Sequence, residues 1–284
     1  MNKWLIGARV RTLPAAVAPV LVGTSLSNQI NLTNAFLALL VSLSLQIAVN
    51  YANDHSDGVR GTDSDRVGPI RLVASGLATA TAVRNAAIIF FCIAACCGLV
   101  LAIRTSLWLI LVGMISILAA WGYTGGNKPY GYFGFGELSV FTFFGLVATM
   151  GSYYVQSTEL TGRSVLLSLP MGCLACAILV INNLRDIDGD KLANKQTLAV
   201  KLGQTNTRRF YVLLLVFAQL FSFLAISNSV YAIATLLMVP LTYSCAKQVL
   251  KGAIGLDLVG ILSKSAKLQL ATSIILAIML RINS

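Results

Sequence analysis

The sequence predicts an all-α membrane protein with nine spanning helices, and three observations carry that expectation. Mean hydropathy is +0.80, and 11% of the residues are charged, against about 25% in an average soluble domain. Apolar windows of span length, about 18 residues or more, recur along most of the chain. The polar connections between them alternate sharply in basic content. No stretch long enough for a separate soluble domain remains, so residues 1–284 read as one membrane domain.

The predicted spans are 13–30, 35–51, 86–103, 107–123, 138–155, 165–181, 210–226, 229–245 and 268–282. Pro14, Pro19 and Pro170 fall near span ends and Pro240 inside one, positions that membrane helices tolerate. The N-terminal stretch carries Arg9 and Arg11 before any apolar core and has no small-residue cleavage pattern, so it does not read as a secretory signal. A bacterial inner membrane is the simplest location. All six cysteines lie within apolar runs, and Cys173-x-x-Cys176, without a second pair, reads as packing rather than as a zinc or redox site.

Orientation follows from charge. With the N-terminus in the cytoplasm, the inside segments collect Lys3, Arg9 and Arg11; Arg60, Arg66, Arg71 and Arg84; Lys128; Arg185, Lys191, Lys195, Lys201, Arg208 and Arg209; and Lys247, Lys251, Lys264 and Lys267. Of the 21 basic residues, Arg104, Arg163 and Arg281 alone fall outside. This is the positive-inside pattern. The net charge of +11 is therefore mostly a topology signal, together with something anionic on the cytoplasmic face. A nucleic-acid partner would need a basic soluble module, and the chain has none.

The acids are the informative residues. Seven of the ten fall into two clusters: Asp54, Asp57, Asp63 and Asp65, and Asp186, Asp188 and Asp190. Each cluster follows an even-numbered span, so both lie on the cytoplasmic side. They share a pattern, Asn50-x-x-x-Asp54 and Asn182-x-x-x-Asp186. If each span continues as a helix past the membrane surface, Asp54 with Asp57, and Asp186 with Asp190, lie on one helix face. Carboxylates so placed repel one another unless a cation sits between them. Hard cations such as Mg²⁺ take carboxylate oxygens and keep sites for substrate phosphates. Arg60, Arg66, Arg71, Arg185, Lys191 and Lys195 lie within or just after the clusters and suit phosphate oxygens. Acid for metal and base for phosphate at a membrane surface point to a substrate with a diphosphate head and a lipid tail.

At these residues the chain resembles the intramembrane aromatic prenyltransferases. The resemblance implies nine transmembrane helices around a central cavity, with two Asp-rich motifs on cytoplasmic extensions of the second and sixth helices, where Asn53-Asp54-x-x-Asp57 and Asp186-x-x-x-Asp190 fall. The stretches "ARVRTLPAAVAPVLVGT", "DRVGPIRLVASG", Tyr123–Gln156 and "RDIDGDKLANKQTLAVKLG" are most similar to the branch acting on 1,4-dihydroxy-2-naphthoate in menaquinone synthesis. The resemblance implies Mg²⁺ held by Asp54, Asp57, Asp186 and Asp190 on an all-trans polyprenyl diphosphate. Arg11, Asn50, Arg71, Lys128, Asn182 and Lys195 are among the residues set to hold the diphosphate. Two departures stand out. Where many members carry a third acid, this chain has Gly61, leaving Asp63 or Asp65 to substitute; and the family's Tyr-x-x-x-Lys element appears as Tyr123-x4-Lys128.

Other readings are weaker. A transporter places ionisable residues near the bilayer midplane, whereas these spans are nearly free of charge. Transfer to 4-hydroxybenzoate or homogentisate is the alternative within the family. His55 reads as incidental. The aromatic run Phe141, Phe143 and Phe144 suits either a cavity wall or a lipid-facing surface, and Ala246–Lys267 reads as a short amphipathic surface segment.

Overall fold

The structure, a computed structural model, describes residues 2–61, 68, 70–126, 128–226 and 230–282. These residues form helices with no strand among them: α1 Lys3–Ala8, α2 Pro14–Leu26, α3 Leu32–Arg60, α4 Ala80–Arg104, α5 Trp108–Gly122, α6 Gly136–Ser157, α7 Gly162–Leu192, α8 Leu198–Leu224, α9 Val230–Leu250 and α10 Gly255–Ile282. Seven of them, α3, α4 and α6 to α10, are long and apolar enough to cross a membrane. The pair formed by α1 with its following turn and α2, bent by 51°, makes an eighth if taken as one span. At 15 residues α5 is shorter than a usual span. The protein is thus a multi-pass helical membrane protein.

Local chemistry sets the helix limits. Arg9 ends α1 in the left-handed region at φ 52°, and Pro14 opens α2 at a position where its missing N–H is not needed. The Asn31 side chain accepts from the Asn34 N–H to start α3. A reciprocal capping box between Thr161 and Ser164 starts α7. Gly61 ends α3 at φ 69°, its N–H returning to the carbonyls of Asp57 and Gly58. That conformation favours glycine, and it explains why this chain has Gly61 where an acid was expected.

α3 and α7, with 29 and 31 residues, are the longest helices. Both run beyond their apolar segments as continuous helix, so Asp54 and Asp57 lie on α3, and Asp186 and Asp190 on α7. The apolar window of α7 is 78% buried and that of α9 17%, which makes α7 the central helix and α9 a peripheral one. The main core joins α2, α7, α8 and α10 through Leu167, Met171, Leu174, Ile181, Tyr211, Leu215, Leu268 and Leu276. Exposed Ile89, Leu111, Met114, Leu118 and Leu237 lie on the outer helices, as lipid contact requires. The stretch expected as a surface segment, Ala246–Lys267, is instead the end of α9, a short turn and the first half of α10.

α6 is held close to its neighbours by small residues. A Cβ on Gly145 would lie 2.6 Å from Cα of Gly172 on α7, and one on Gly23 of α2 would lie 2.1 Å from the Thr149 carbonyl oxygen. Phe141–Val147 is wound as π-helix. The wider turn puts Phe143 and Phe144 on the wall of the central cavity, while Phe141 packs over Gly172. Replacing Gly145 with Ala should therefore lower stability by about 1–3 kcal/mol through overpacking. Gly260→Ala, which meets open space, should leave the melting temperature in detergent unchanged or slightly raised.

Candidate functional site

One large cavity, about 960 Å³, opens among the polar ends of α3, α5, α6 and α7. Its deep wall is apolar: Val20, Ala38, Val41, Leu101, Leu109, Val112 and Val155. Its mouth is lined by Asn50, Asn53, Asp57, Arg60 and Gly61 from α3, Arg71 from the loop after it, Asn182, Arg185, Asp186, Asp188 and Asp190 from α7, and Lys195. Greasy shaft and charged mouth form one continuous space.

The α3 residues at the mouth recur at three- and four-residue spacing, Asn50, Asn53, Asp57 and Arg60, which is one helix face. Asp54, four residues after Asn50, lies at the edge of that face, about 60° around the helix from Asp57. It is 1% exposed, is not among the cavity-lining residues, and accepts from the Leu72 N–H at 2.8 Å and the Val73 N–H at 3.0 Å, one bond to each oxygen. Asp54, expected as a metal ligand beside Asp57, is thus turned from the cavity toward the loop after α3, which its two oxygens hold. That loop is pinned further by Leu72, fully buried against Gly7 and Tyr51, and by Gly58, whose missing Cβ leaves room for Val73. The result is to place Arg71 at the mouth.

Asp57 is the node. Its Oδ1 accepts from the Lys195 ammonium at 2.8 Å and from the Tyr132 hydroxyl at 2.5 Å, and Arg71 approaches Oδ2 at 3.6 Å. Asp57, Arg71 and Lys195 are all buried. Tyr132 also accepts from Arg60 at 3.2 Å. The Arg60 guanidinium and the Lys195 ammonium lie 5.2 and 4.6 Å from its ring centroid. Burial first, and then the Asp57 charge, push the Tyr132 phenol above the ordinary tyrosine range. It therefore keeps its proton at any working pH and serves as a donor. Arg60 in turn donates to the carbonyls of Thr124 at 2.8 Å and Gly126 at 2.6 Å, which ties α3 to the connection after α5.

On α7, Arg185 forms a two-pronged pair with Asp186 at 2.8 and 2.7 Å and donates to Asn182 Oδ1 at 2.8 Å. A Cβ on Gly68 would meet the Arg185 guanidinium at 3.1 Å, so the loop of the first motif touches the arginine of the second. Asp190 accepts from Thr197 at 3.4 Å, and its carbonyl takes the Lys195 N–H at 2.8 Å, which turns Lys195 back over the mouth. Asn50 donates to the Ala8 carbonyl at 2.9 Å.

The structure thus gathers Asn50, Asp57, Arg60, Arg71, Asn182, Arg185, Asp186, Asp190 and Lys195 around one space. Three expected diphosphate-binding residues are not there: Arg11, Lys128 and Lys191 are exposed and do not line the cavity. Arg9, two residues before Arg11, lines it instead, because the left-handed break at Arg9 reorients the chain. Asp63, Asp65 and Arg66 lie outside the described residues. His55 Nδ1 sits 3.0 Å from the Ala80 carbonyl oxygen, at the start of α4.

Two mouth residues were missed as site residues. Tyr132 comes from a short 3-10 turn, Tyr130–Phe133, where no periodicity marks it. Asn53 shares the Asp57 face, and its buried Oδ1 has no hydrogen-bond partner among the described residues. The four-residue spacing from Asn53 to Asp57 was the available signal.

No group of three or more acidic, histidine or cysteine residues is arranged to hold a metal by itself among the described residues. Mg²⁺ does not need one, since it is usually bound by one or two carboxylates plus substrate phosphates and water. The free Asn53 oxygen beside Asp57, with Asp186 and Asp190 on the same cavity, is a donor set of the oxygen type that Mg²⁺ takes.

An apolar shaft inside a helical membrane bundle, capped by acids and paired cations, is a site for an amphiphile with an anionic head. Residues 16–253 match the model of the UbiA prenyltransferase family, and the chain belongs to that family. It is 45% identical over 278 residues to 1,4-dihydroxy-2-naphthoate octaprenyltransferase of Mycobacterium tuberculosis, covering 97% of this chain and 95% of that one. It is 37% identical to the Escherichia coli protein of the same name, covering 96% and 92%. Among solved structures, a UbiA homolog from Aeropyrum pernix K1 superposes with a TM-score of 0.69 at 17% identity, covering 100% of this chain and 98% of that one. A UbiA homolog from Archaeoglobus fulgidus, bound to GPP and Mg²⁺, gives 0.68 at 14%, covering 97% and 99%. At these identities the structures establish the shared fold.

Two outcomes follow. Asp54→Ala should cost about 2–4 kcal/mol, because it orphans two backbone donors, and should speed hydrogen exchange at the Leu72 and Val73 amides. Tyr132→Phe keeps the ring under both cations and loses the bond to Asp57. It should lower stability by about 1.5–3 kcal/mol, the value of one hydrogen bond to a charged group, read as a fall in melting temperature in detergent.

Proposed function

We propose that this chain transfers a polyprenyl group from an all-trans polyprenyl diphosphate to 1,4-dihydroxy-2-naphthoate with loss of CO₂, giving demethylmenaquinol. The observation that carries this reading is the single cavity joining an apolar shaft to a mouth of acids and cations. The name shared by relatives at 37% and 45% identity supports the acceptor, and the archaeal homolog bound to GPP and Mg²⁺ supports the donor and the ion. The site works as one membrane domain over residues 1–284, with nine spans, the N-terminus in the cytoplasm and the mouth facing the cytoplasm across a bacterial inner membrane. The basic residues of the inside connections support that orientation.

Asn53, Asp57, Asp186 and Asp190 would hold Mg²⁺, which neutralises the charge growing on the departing diphosphate. Asp63, outside the described residues, stays a candidate for a further ligand. Arg71, Lys195, Arg60, Arg185 and Arg9 supply the remaining positive charge. With Asp57 already paired to Lys195 and Arg71, these cations are positioned before substrate arrives, so little reorganisation accompanies reaction. The apolar shaft takes the prenyl chain, and its walls, including Phe143 and Phe144, keep water from the allylic cation. The electron-rich ring attacks at its carboxyl-bearing carbon. The carbon–oxygen bond to diphosphate breaks and CO₂ leaves its electron pair in the ring, which needs no nucleophilic Ser, Cys or Lys.

In isolated membranes, Asp57→Ala and Asp186→Ala should each reduce formation of prenylated naphthoquinone by at least about 10²-fold, the scale for loss of a group that stabilises a developing charge. Chelation of Mg²⁺ should abolish the same product in the unaltered protein, and added Mg²⁺ should restore it. Retained Mg²⁺-dependent activity in both variants would sink the proposed site.

A further inference from the structure

The cavity changes character one helical turn below its acids. Asn183 lies three residues before Asp186 and seven before Asp190. It therefore shares their face of α7 and sits about 4–10 Å deeper along the helix axis, at 1.5 Å per residue. It lines the cavity and is 8% exposed. Its Nδ2 donates to Glu137 Oε1 at 3.0 Å. A carboxylate acceptor selects the NH₂ side of the amide, so Asn183 Oδ1 is turned away from Glu137, with no hydrogen bond of its own to the described residues.

Glu137 occupies the first turn of α6. It is 6% exposed, it does not line the cavity, and its Oε2 is buried with no hydrogen-bond partner among the described residues. Leaving a buried oxygen unsatisfied is unfavourable, and the core at this level would accept an apolar residue. What Glu137 does hold is the Asn183 amide, which it orients. Two hydroxyl-bearing side chains line the same level. A Cβ on Gly136, next to Glu137, would lie 3.1 Å from the Tyr123 hydroxyl, and Ser139 Oγ lies 2.8 Å from the Tyr130 hydroxyl. The collar of Tyr123, Ser139 and Asn183 carries no cation. It suits neutral hydrogen-bonding groups rather than a diphosphate.

We propose that Asn183 binds the aromatic acceptor, its Oδ1 accepting a hydrogen bond from a ring hydroxyl, and that Glu137 is the positioning residue that fixes the amide for this purpose. The inference rests on the function proposed above and names the acceptor side of that site. With the diphosphate held at Asp57 and Asp186, the first prenyl carbon lies just below the acids, at the level of Asn183, and the ring must lie against it. The new bond joins that carbon to the carboxyl-bearing ring carbon, the carbon–oxygen bond to diphosphate breaks, and the carboxylate departs as CO₂. No proton is removed overall, so a neutral amide acceptor that orients and polarises the hydroxyl is sufficient.

The test is a split of KM values on the purified full-length chain in nanodiscs. Asn183→Ala should raise KM for 1,4-dihydroxy-2-naphthoate by about 10- to 100-fold, the scale for a hydrogen bond lost in a buried site, while KM for the prenyl diphosphate stays within about twofold. Glu137→Ala should move the same constant in the same direction. Glu137→Gln keeps an acceptor for Asn183 and should return it to within about threefold of the unaltered protein. Naphthoates lacking one ring hydroxyl, used as competitive inhibitors, supply the second readout: for the analogue missing the bonded hydroxyl, the Asn183→Ala penalty should vanish. An unchanged acceptor KM in Asn183→Ala overturns the proposal. So does a parallel rise of both constants, a failure of Glu137→Gln to restore the acceptor KM, or an undiminished penalty with every analogue. Turnover of a different aromatic acceptor by the unaltered protein would overturn the proposed substrate instead, and the split would then be read with that acceptor.

Discussion

The structure of this site depends on how one buried carboxylate is neutralised. Asp57 is 5% exposed, and an isolated charge at such a position would be prohibitive. Lys195, Arg71 and Tyr132 surround it, and they come from three different parts of the chain. Lys195 is presented by the turn after α7, Arg71 by the loop after α3, and Tyr132 by the connection between α5 and α6. Neutralising Asp57 therefore also draws the polar ends of those helices around one mouth. Removing one partner of such a pair typically costs about 3–5 kcal/mol, so the charges that prepare the site also hold it together.

Asp54 does for the backbone what Asp57 does for the side chains. Its two bonds to Leu72 and Val73 fix the loop that brings Arg71 to Asp57. Neighbouring acids of one motif thus diverge by about 60° around the helix, Asp57 toward the cavity and Asp54 toward the loop. The division follows from helix geometry: Asn50, Asn53, Asp57 and Arg60 complete a cavity-facing stripe, while Asp54 and Gly58 form a second stripe against the loop. The network also sets a charge balance. Arg9, Arg60, Arg71, Arg185 and Lys195 reach the cavity, and under the proposed function a diphosphate with its ion would meet donors that are already aligned.

The sequence made much of this legible and left the rest to tertiary structure. Hydropathy marked the helical segments, because apolar runs report the solvent around a helix. Extension of α3 and α7 past their apolar segments was readable from the acids, since like charges repeat there at helical spacing. Asp54 and Asp57 do lie on adjoining parts of one continuous helix, but only Asp57 lines the cavity. Residues three apart differ by about 60° around a helix, and which of the two faces the cavity depends on the loop packed against α3. Arg11 and Lys128 were expected from the resemblance alone. The break at Arg9 turns Arg11 outward, and Lys128 is exposed. Tyr132 carried no pattern, because its role arises where three connections meet. Gly61 was legible as a departure, and its left-handed conformation supplies the reason.

The central claim is that α3 and α7 act on one ion and one diphosphate through Asp57 and Asp186, with Asp54 outside the coordination. Mn²⁺ in place of Mg²⁺ allows this to be read by electron paramagnetic resonance with a non-hydrolysable prenyl diphosphate analogue. The account predicts a ³¹P coupling to bound Mn²⁺ that is lost in both Asp57→Asn and Asp186→Asn and retained in Asp54→Asn. Loss of the coupling in Asp54→Asn, with the fold intact, or its survival in either of the other two variants, would contradict it.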